Sequence, residues 1–337
     1  MMTASDQGQV AGSMDRIADK GRIGPLFSEL YAGSSWLTIT GILMLIDTGI
    51  ALAGLALDPT MITGAPAWLK PLKFGISTSI FCFTIAYTIG RLVRTRRFAT
   101  ILGKAMAAAL VPEIALIDMQ AARHTTSHFN VASAFDGSVF AAMGAFISVV
   151  MLSTLLLFVA ACMEHFADRS LGWVIRLGLL TSLVGMGTGI LMTLPTPQQL
   201  AEARQTGTLA HAGGHTVGGP DGGRSMPVTG WSADHGDLRI AHFVGLHAMQ
   251  ALLLAWWLTR GRTRWPQRRQ LSLIAGVTTI VMLAFSLVLW QALRGQPILR
   301  PDALTVGGWT AWLAALALGL ILILKAQKAT PQMERRS

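Results

Sequence analysis

The sequence predicts an all-α, polytopic membrane bundle. Of 337 residues, 52% are hydrophobic and only 13% are charged, a composition typical of membrane proteins. Apolar runs of roughly 20 residues, long enough to cross about 30 Å of hydrocarbon, recur along the chain. Runs this long and continuous favour helices, which pair their backbone groups internally, over the short alternating strands of a membrane barrel.

Eight such runs are present, and we interpret residues 36–325 as one transmembrane bundle. The first 35 residues lack the apolar core and cleavage site of a secretory signal, so the first run is expected to act as an uncleaved anchor. Residues 1–35 then form an N-terminal segment and residues 326–337 a tail. The predicted spans are 36–57, 74–93, 99–122, 138–162, 171–194, 238–259, 271–293 and 309–324.

The basic residues predict the orientation of the bundle. The formal net charge is +10, and most of this charge lies in the second and sixth connections and after the last span. With eight crossings these clusters share one side, which the positive-inside rule assigns to the cytoplasm together with both termini. We expect a multi-pass protein of a bacterial-type inner (plasma) membrane, with the lipid bilayer and not nucleic acid as its partner. The basic clusters are Arg91, Arg94, Arg96, Arg97 and Lys104; Arg260, Arg262, Arg264, Arg268 and Arg269; and Lys325, Lys328, Arg335 and Arg336.

One connection on the predicted outer side is unusually long. Residues 195–237, between the fifth and sixth spans, are polar, glycine-rich and interrupted by prolines. Connections of this length are either functional or disordered. The sequence leaves two interpretations open, a cap over the outer end of the bundle or a flexible tether.

Lys70 and Lys73 are basic residues on the side that the positive-inside rule makes poor in them. They lie in the outer connection that also carries Trp68. Snorkelling of both side chains to lipid phosphate is the first interpretation. Attraction of an anionic ligand is the alternative.

The third span carries a polar stripe that should face protein. Glu113, Gln120, His124 and His128 are separated by 7, 4 and 4 residues, which keeps them on one broad face of a helix. Glu113 lies inside the hydrocarbon region directly after Pro112, and carboxyl groups at that depth mark functional interiors. The Thr-Thr-Ser run between the two histidines favours a helix end there, which would send them in different directions.

The sixth span begins with a second polar stretch. Asp237 is well placed as the N-cap. His242 and His247 are five residues apart, about 140° around a helix, so they do not chelate one ion from a regular helix. They either flank a shared cavity or meet different partners. Arg239 and Gln250 lie between them in angle and complete a wide polar sector.

The leading functional hypothesis is a metal or haem centre at the outer surface, open to a small-molecule substrate from that side. A zinc-like divalent ion takes three His or carboxylate ligands, and we select these from His128, His215, His242 and His247. Candidate catalytic residues are Glu113, Asp237 and Arg239. A b-type haem instead needs imidazoles on two helices, for which the cofactor-binding candidates are His124, His128, His247 and Gln250.

Two alternatives remain open, and the sequence does not decide between an enzyme and a carrier. The first is a proton-coupled transporter that uses Asp47 and Glu113, with Asp118 on the same path. The second is a structural membrane subunit whose polar groups join helices. The chain contains no His-Glu-x-x-His, Walker, Rossmann or Cys-x-x-Cys-His signature that would identify a known family.

Overall fold

The computed structural model describes residues 23–260 and 266–333, with side chains for 24–258 and 266–322. It confirms an all-α bundle with eight helices long and apolar enough to cross a membrane. A short helix precedes them, and another lies in the long connection. The helices are α1 Ile23–Gly33, α2 Ser35–Leu57, α3 Leu69–Arg91, α4 Arg96–Ala122, α5 Ala134–Met163, α6 Arg169–Thr193, α7 Pro197–Thr206, α8 Leu238–Arg260, α9 Gln267–Leu293 and α10 Ala303–Met333.

The eight predicted spans correspond to α2, α3, α4, α5, α6, α8, α9 and α10, with ends that differ by a few residues. Of the predicted N-terminal segment, residues 1–22 lie outside the described residues and 23–33 form α1. The predicted tail continues α10 as far as Met333, beyond which residues 334–337 also lie outside. Four arginines of the predicted basic clusters also lie outside the described residues: Arg262, Arg264, Arg335 and Arg336.

Polar side chains begin several of the long helices. Ser34 accepts a hydrogen bond from the backbone N–H of Leu37, and Ser133 accepts one from Asp136. Asp168 accepts two, from the first turn of α6. Each cap satisfies a backbone donor that the helix cannot pair internally.

The central helices are α3 and α4, and the last two helices are peripheral. The share of buried residues is 44% in the α3 span and 50% in the α4 span, but 17% in α9 and 6% in α10. The large side chains of α9 and α10 therefore have mostly lipid available to them, whereas polar groups on α3 and α4 face protein.

Helices α6 and α8 approach closely through glycines. A Cβ atom at Gly185 would lie 2.5 Å from the backbone carbon of Gly245, and one at Gly245 would lie 2.4 Å from the Cα of Gly185. Small residues allow backbones in membranes to approach in this way. This contact fixes the position of α8, which carries two of the candidate histidines.

Four connections meet at one end of the bundle, which we call the cap end. They are residues 58–68, 123–133, 194–237 and 294–302. We call residues 195–237 the cap. It contains α7 and the short strand β3 (Thr216–Val217), which pairs with β4 (Gly236–Asp237) just before α8; a two-residue hairpin, β1 (Met61–Ile62) and β2 (Ala65–Pro66), lies in the first connection.

The cap is bonded to its neighbours along its length. Ser225 Oγ donates to the carbonyl of Gly64 at 2.8 Å, and the backbone N–H of Val131 donates to Ala210 at 3.0 Å. At Gly213 the backbone has φ +101°, and a Cβ there would lie 2.2 Å from the carbonyl oxygen of Met192. Of the two interpretations, the cap agrees with these contacts and the flexible tether does not.

Candidate functional site

A lysine, a histidine and a glutamate form a chain inside the cap end. Lys70 Nζ, at the start of α3, lies 3.0 Å from Nδ1 of His128, and Nε2 of His128 lies 4.0 Å from Oε1 of Glu113 on α4. Because an ammonium group can only donate, Nδ1 accepts and Nε2 carries the proton of the neutral ring. That proton is directed at Glu113 across a gap too long for a direct hydrogen bond.

The connection after α4 turns His128 into the bundle. Helix α4 ends at Ala122, and two residues with left-handed backbones, His124 and Phe129, bend the chain around His128. The ring then lies 6.0 Å from Phe74 and 6.4 Å from Phe140, measured between centroids. Burial lowers the pKa of His128 well below its ordinary value, and the positive charge of Lys70 adds to the effect.

Glu113 has a carboxyl oxygen without a partner. The residue is only 3% exposed, and among the described residues its Oε2 makes no hydrogen bond. A buried polar atom left unpaired is costly, and such atoms in folded proteins call for a proton, a water molecule or a ligand.

A second carboxyl pair lies on the neighbouring helices. The carboxyl groups of Asp47 on α2 and Asp118 on α4 contact each other, and among the described residues each has one buried oxygen without a hydrogen bond. Gly75 on α3 leaves room for them, since a Cβ there would lie 3.0 Å from Oδ2 of Asp47 and 2.7 Å from the hydroxyl of Thr48.

The cap contributes a hydrogen-bonded pair of its own, formed by His215 and Asp221. His215 Nδ1 lies 3.0 Å from Oδ2 of Asp221, which also accepts the backbone N–H groups of His215 and Thr216. Burial opposes ionisation of Asp221, but these donors hold its pKa well below the usual range. Burial lowers the pKa of His215, against the opposing effect of Asp221. His215 is thus a neutral ring whose unprotonated Nε2 can accept a proton or a ligand.

Arg239 and Asp237 form a buried ion pair. Asp237 occupies the predicted N-cap position of α8, where its Oδ1 accepts from the backbone N–H of Arg239 at 3.0 Å. The guanidinium holds both carboxylate oxygens, with Nη2 2.5 Å from Oδ2, and also donates to the carbonyl of Gly230. Ser232 adds a backbone donor to Oδ2. Both carboxylate oxygens of Asp237, a candidate catalytic residue, are therefore engaged in the cap and the ion pair.

His242 and His247 face different helices, as their angular separation allowed. His242 Nδ1 lies 2.8 Å from the carbonyl oxygen of Gly185 on α6, so Nδ1 is the donor and Nε2 is unprotonated. His247 Nε2 lies 2.9 Å from the hydroxyl of Ser77 on α3. The amide of Gln250 lies 3.1 Å from the hydroxyl of Thr84, deeper along the same contact between α3 and α8.

His124 does not join the other candidates. The helix ends before it, its side chain is 55% exposed, and Nε2 lies 3.4 Å from Oδ2 of Asp58. The prediction that Glu113, Gln120, His124 and His128 continue one helical stripe is therefore wrong beyond Gln120. The turn residues that followed were the correct signal for the helix end.

The predicted set of metal ligands does not converge. Among the described residues, no three His, Cys, Asp or Glu side chains are placed to hold a metal ion. His128, His215 and His242 are electrostatic neighbours, but their rings are directed at Glu113, Asp221 and Gly185 respectively.

Two lysines have other partners than the sequence predicted, and one aspartate was not predicted at all. The snorkelling interpretation of the lysines is wrong, because Lys70 donates to His128 and Lys73 donates to the carbonyl of Thr229 at 2.7 Å. Asp221 was not selected because its partner His215 is identified only by the fold of the cap. The signal available for the lysines was their position on the side of the membrane where basic residues are disfavoured.

Comparisons with family models, with curated proteins and with solved structures find no match for this chain.

Proposed function

We propose that this chain is a proton-coupled carrier of the plasma membrane, and that Glu113 is its proton-binding group. The observation that supports this most directly is the chain from Lys70 through His128 to Glu113, which ends on a buried carboxyl oxygen without a partner among the described residues. A glutamate at this depth is stable when protonated and costly when ionised, so binding and release of a proton change its surroundings strongly.

The imidazole gives Glu113 a route to the cap end. His128 is neutral, it holds a proton on Nε2, and it can pass this proton to Glu113 while it receives another on Nδ1 from the side of Lys70 and Ser127. A water molecule or a shift of about 1 Å would close the 4.0 Å gap.

Asp47 and Asp118 provide a second protonatable site on this route. Charging two carboxyl groups that contact each other within a membrane is costly, which suits a site that takes up a proton. Asp118 lies five residues from Glu113 on α4, nearer the cap end. In the predicted orientation the cap end faces outward, so protons and a small-molecule substrate would enter from that side.

Chemical labelling tests the protonation of these groups without knowledge of the substrate. Dicyclohexylcarbodiimide reacts with protonated carboxyl groups in apolar surroundings, and mass spectrometry of the labelled protein should find the adduct on Glu113. Labelling should decrease as the pH rises. Glu202, which is exposed on α7, should remain unlabelled and serves as the internal control.

Flux in proteoliposomes tests the coupling. With a pH-sensitive dye enclosed, a panel of small organic solutes added outside should include some that acidify the lumen, and E113Q should abolish that signal while E202Q retains it. The proposal is rejected if no solute changes the lumenal pH with the wild type, E113Q or E202Q and Glu113 also remains unlabelled.

A second candidate is a metal or haem centre, favoured by the orientation of His242. Donation from Nδ1 to a backbone carbonyl leaves Nε2 available, which is the arrangement that metal-ligating histidines usually show. Because no three ligands converge in the described part of the chain, this candidate requires rearrangement of the cap. Elemental analysis and an absorption spectrum of protein purified without chelator test it, and stoichiometric zinc or a Soret band would place it first.

A further inference from the structure

A small polar cavity lies between the cap and the bundle. It is partly open to solvent, and Arg239, His215, Asp221, Thr63, Ser232 and Gly230 contribute to its lining. Lys73 adjoins it, since its Nζ would lie 3.9 Å from a Cβ at Gly230. The lining thus combines hydroxyl groups with a guanidinium and has an ammonium group at its edge.

We propose that this cavity binds a small carboxylate monoanion, which is the solute that the carrier moves together with its proton. This inference rests on the proposed function for the transport step, but the binding step stands on the cavity alone. Three features carry it: hydrogen-bond donors left over in the lining, a local excess of positive charge, and acidic groups that are already occupied.

The donors left over are those of the cations. Lys73 Nζ has three protons and, within the described part of the chain, one hydrogen-bond partner, the carbonyl of Thr229. Arg239 uses Nε and Nη2 for Asp237 and Gly230, and Nη1 has no partner among the residues described. A guanidinium edge beside an ammonium group matches the two oxygens of a carboxylate.

The acidic groups in the lining and next to it, Asp221 and Asp237, accept hydrogen bonds from other donors. Asp221 accepts two backbone N–H groups and the ring of His215, and Asp237 accepts Arg239 and the backbone of Ser232. Their oxygens are therefore occupied and directed away from an anion in the cavity, although each carboxylate keeps its negative charge. At the rim, Arg224 pairs with Asp234, so this pair contributes no net charge.

The remaining charges select a monoanion. Lys70, Lys73 and Arg239 interact electrostatically with one another and with two acids, Asp221 and Asp237. With Glu113 and Lys70 both protonated, three cations face two carboxylates, and one positive charge is uncompensated; burial opposes this charge on Lys70, and a bound anion would stabilise it. Ionised Glu113 would cancel it. Binding of a monoanion therefore favours the protonated form of Glu113, and protonation of Glu113 favours the anion, which is the linkage that a proton–anion symporter needs.

Direct binding to the full-length protein in detergent tests this inference. Isothermal titration at constant ionic strength would use sodium acetate and sodium propionate, with sodium phosphate and sodium chloride as comparison anions. We expect saturable binding of the carboxylates that strengthens as the pH falls from alkaline to neutral, and no saturable binding of chloride. K73M should weaken carboxylate binding at least tenfold, and K73R should restore most of it. K104M removes a lysine near the opposite end of α4 and should bind like the wild type.

The variant E113Q separates the inference from the proposed function. It should still bind acetate, with a weaker pH dependence, since glutamine cannot ionise whereas Lys70 and Lys73, whose charges burial opposes, still can. Carboxylate binding without any Glu113-dependent proton flux would reject the carrier and retain the site. Proton flux driven by other solutes, with no carboxylate binding, would reject the site and retain the carrier. The inference is overturned if phosphate binds more strongly than the carboxylates, or if chloride binds equally well. It is also overturned if folded K73M binds carboxylates as tightly as the wild type.

Discussion

Two glutamates, one within the α4 span and one at the end of the bundle opposite the cap, are almost equally buried and have opposite surroundings. Glu164, just after α5, is 4% exposed, and Glu113 is 3% exposed. Glu164 accepts the backbone N–H groups of Val93, Arg94 and Thr95 and the hydroxyl of Thr95. Glu113 has one oxygen 4.0 Å from His128 and another without a partner among the described residues.

The difference separates structural from functional burial. Burial alone would raise the pKa of Glu164, but four donors outweigh it and the pKa falls below its usual value. This carboxylate stays ionised and joins α5 to the connection between α3 and α4. Around Glu113 the chain supplies too few donors to hold a charge permanently, which suits a group that gains and loses a proton.

The same contrast extends to whole helices. The α3 and α4 spans are about half buried and carry Lys70, Lys73, Glu113 and Asp118, while α10 is 6% buried. Helices that face lipid gain nothing from polar groups, so ionisable residues are expected on the helices that protein surrounds.

The strongest test of the contrast is a pair of isosteric changes. E164Q replaces an oxygen by an amide group that faces donors, so we expect a loss of about 3 kcal/mol in the free energy of unfolding. E113Q removes only a potential charge, and its stability should stay within about 1 kcal/mol of the wild type or rise. Thermal unfolding in detergent, followed by circular dichroism, measures both. Equal losses in the two variants would mean that Glu113 is also a structural residue.

The contact between α6 and α8 sharpens the contrast, because it holds the histidines at the cap end. G185A would place a Cβ 2.5 Å from the backbone of α8, and we expect a loss of about 2 kcal/mol together with faster modification of His242 by diethylpyrocarbonate. G187A is the matched control, since nothing lies within 4 Å of a Cβ there. It should be neutral or stabilising through its higher helix propensity. A neutral G185A would show that α8 is free to move.

The fold was predictable because apolar runs of this length have few alternatives in a membrane. The ends of α2, α4 and α9 at the cap end match the predicted ones at residues 57, 122 and 293. The site was predictable only in part. Glu113, His128, His215 and Arg239 were selected as candidates from the sequence and lie in the half of the bundle nearer the cap, but their partners were not predicted.

Those partners depend on contacts between residues far apart in the sequence. Lys70 and His128 are 58 residues apart, and Lys73 and Thr229 are 156 apart. Helical periodicity describes neighbours within one helix and predicts no such pair. It also failed at His124, because the stripe was extended into a turn whose left-handed residues send the two histidines apart.

The smallest predicted effect concerns the pH dependence of stability. His128 has a lowered pKa in the folded protein, whereas an unfolded histidine takes up a proton near pH 6.5. The unfolded state therefore binds more protons below that pH, and the wild type should lose stability as the pH falls from about 6.5 towards the lower folded value, by at most about 1.4 kcal/mol per pH unit for this one group. H128Q should reduce the slope and leave the part that His215 contributes through its own lowered pKa. H124Q changes an exposed side chain and should leave the wild-type slope. Melting curves of the three proteins across this pH range measure the slope. An unchanged slope in H128Q would mean that His128 takes up a proton in the folded state as it does in the unfolded state. Its ring would then be charged below pH 6.5 and would not hold a single proton on Nε2 for transfer to Glu113.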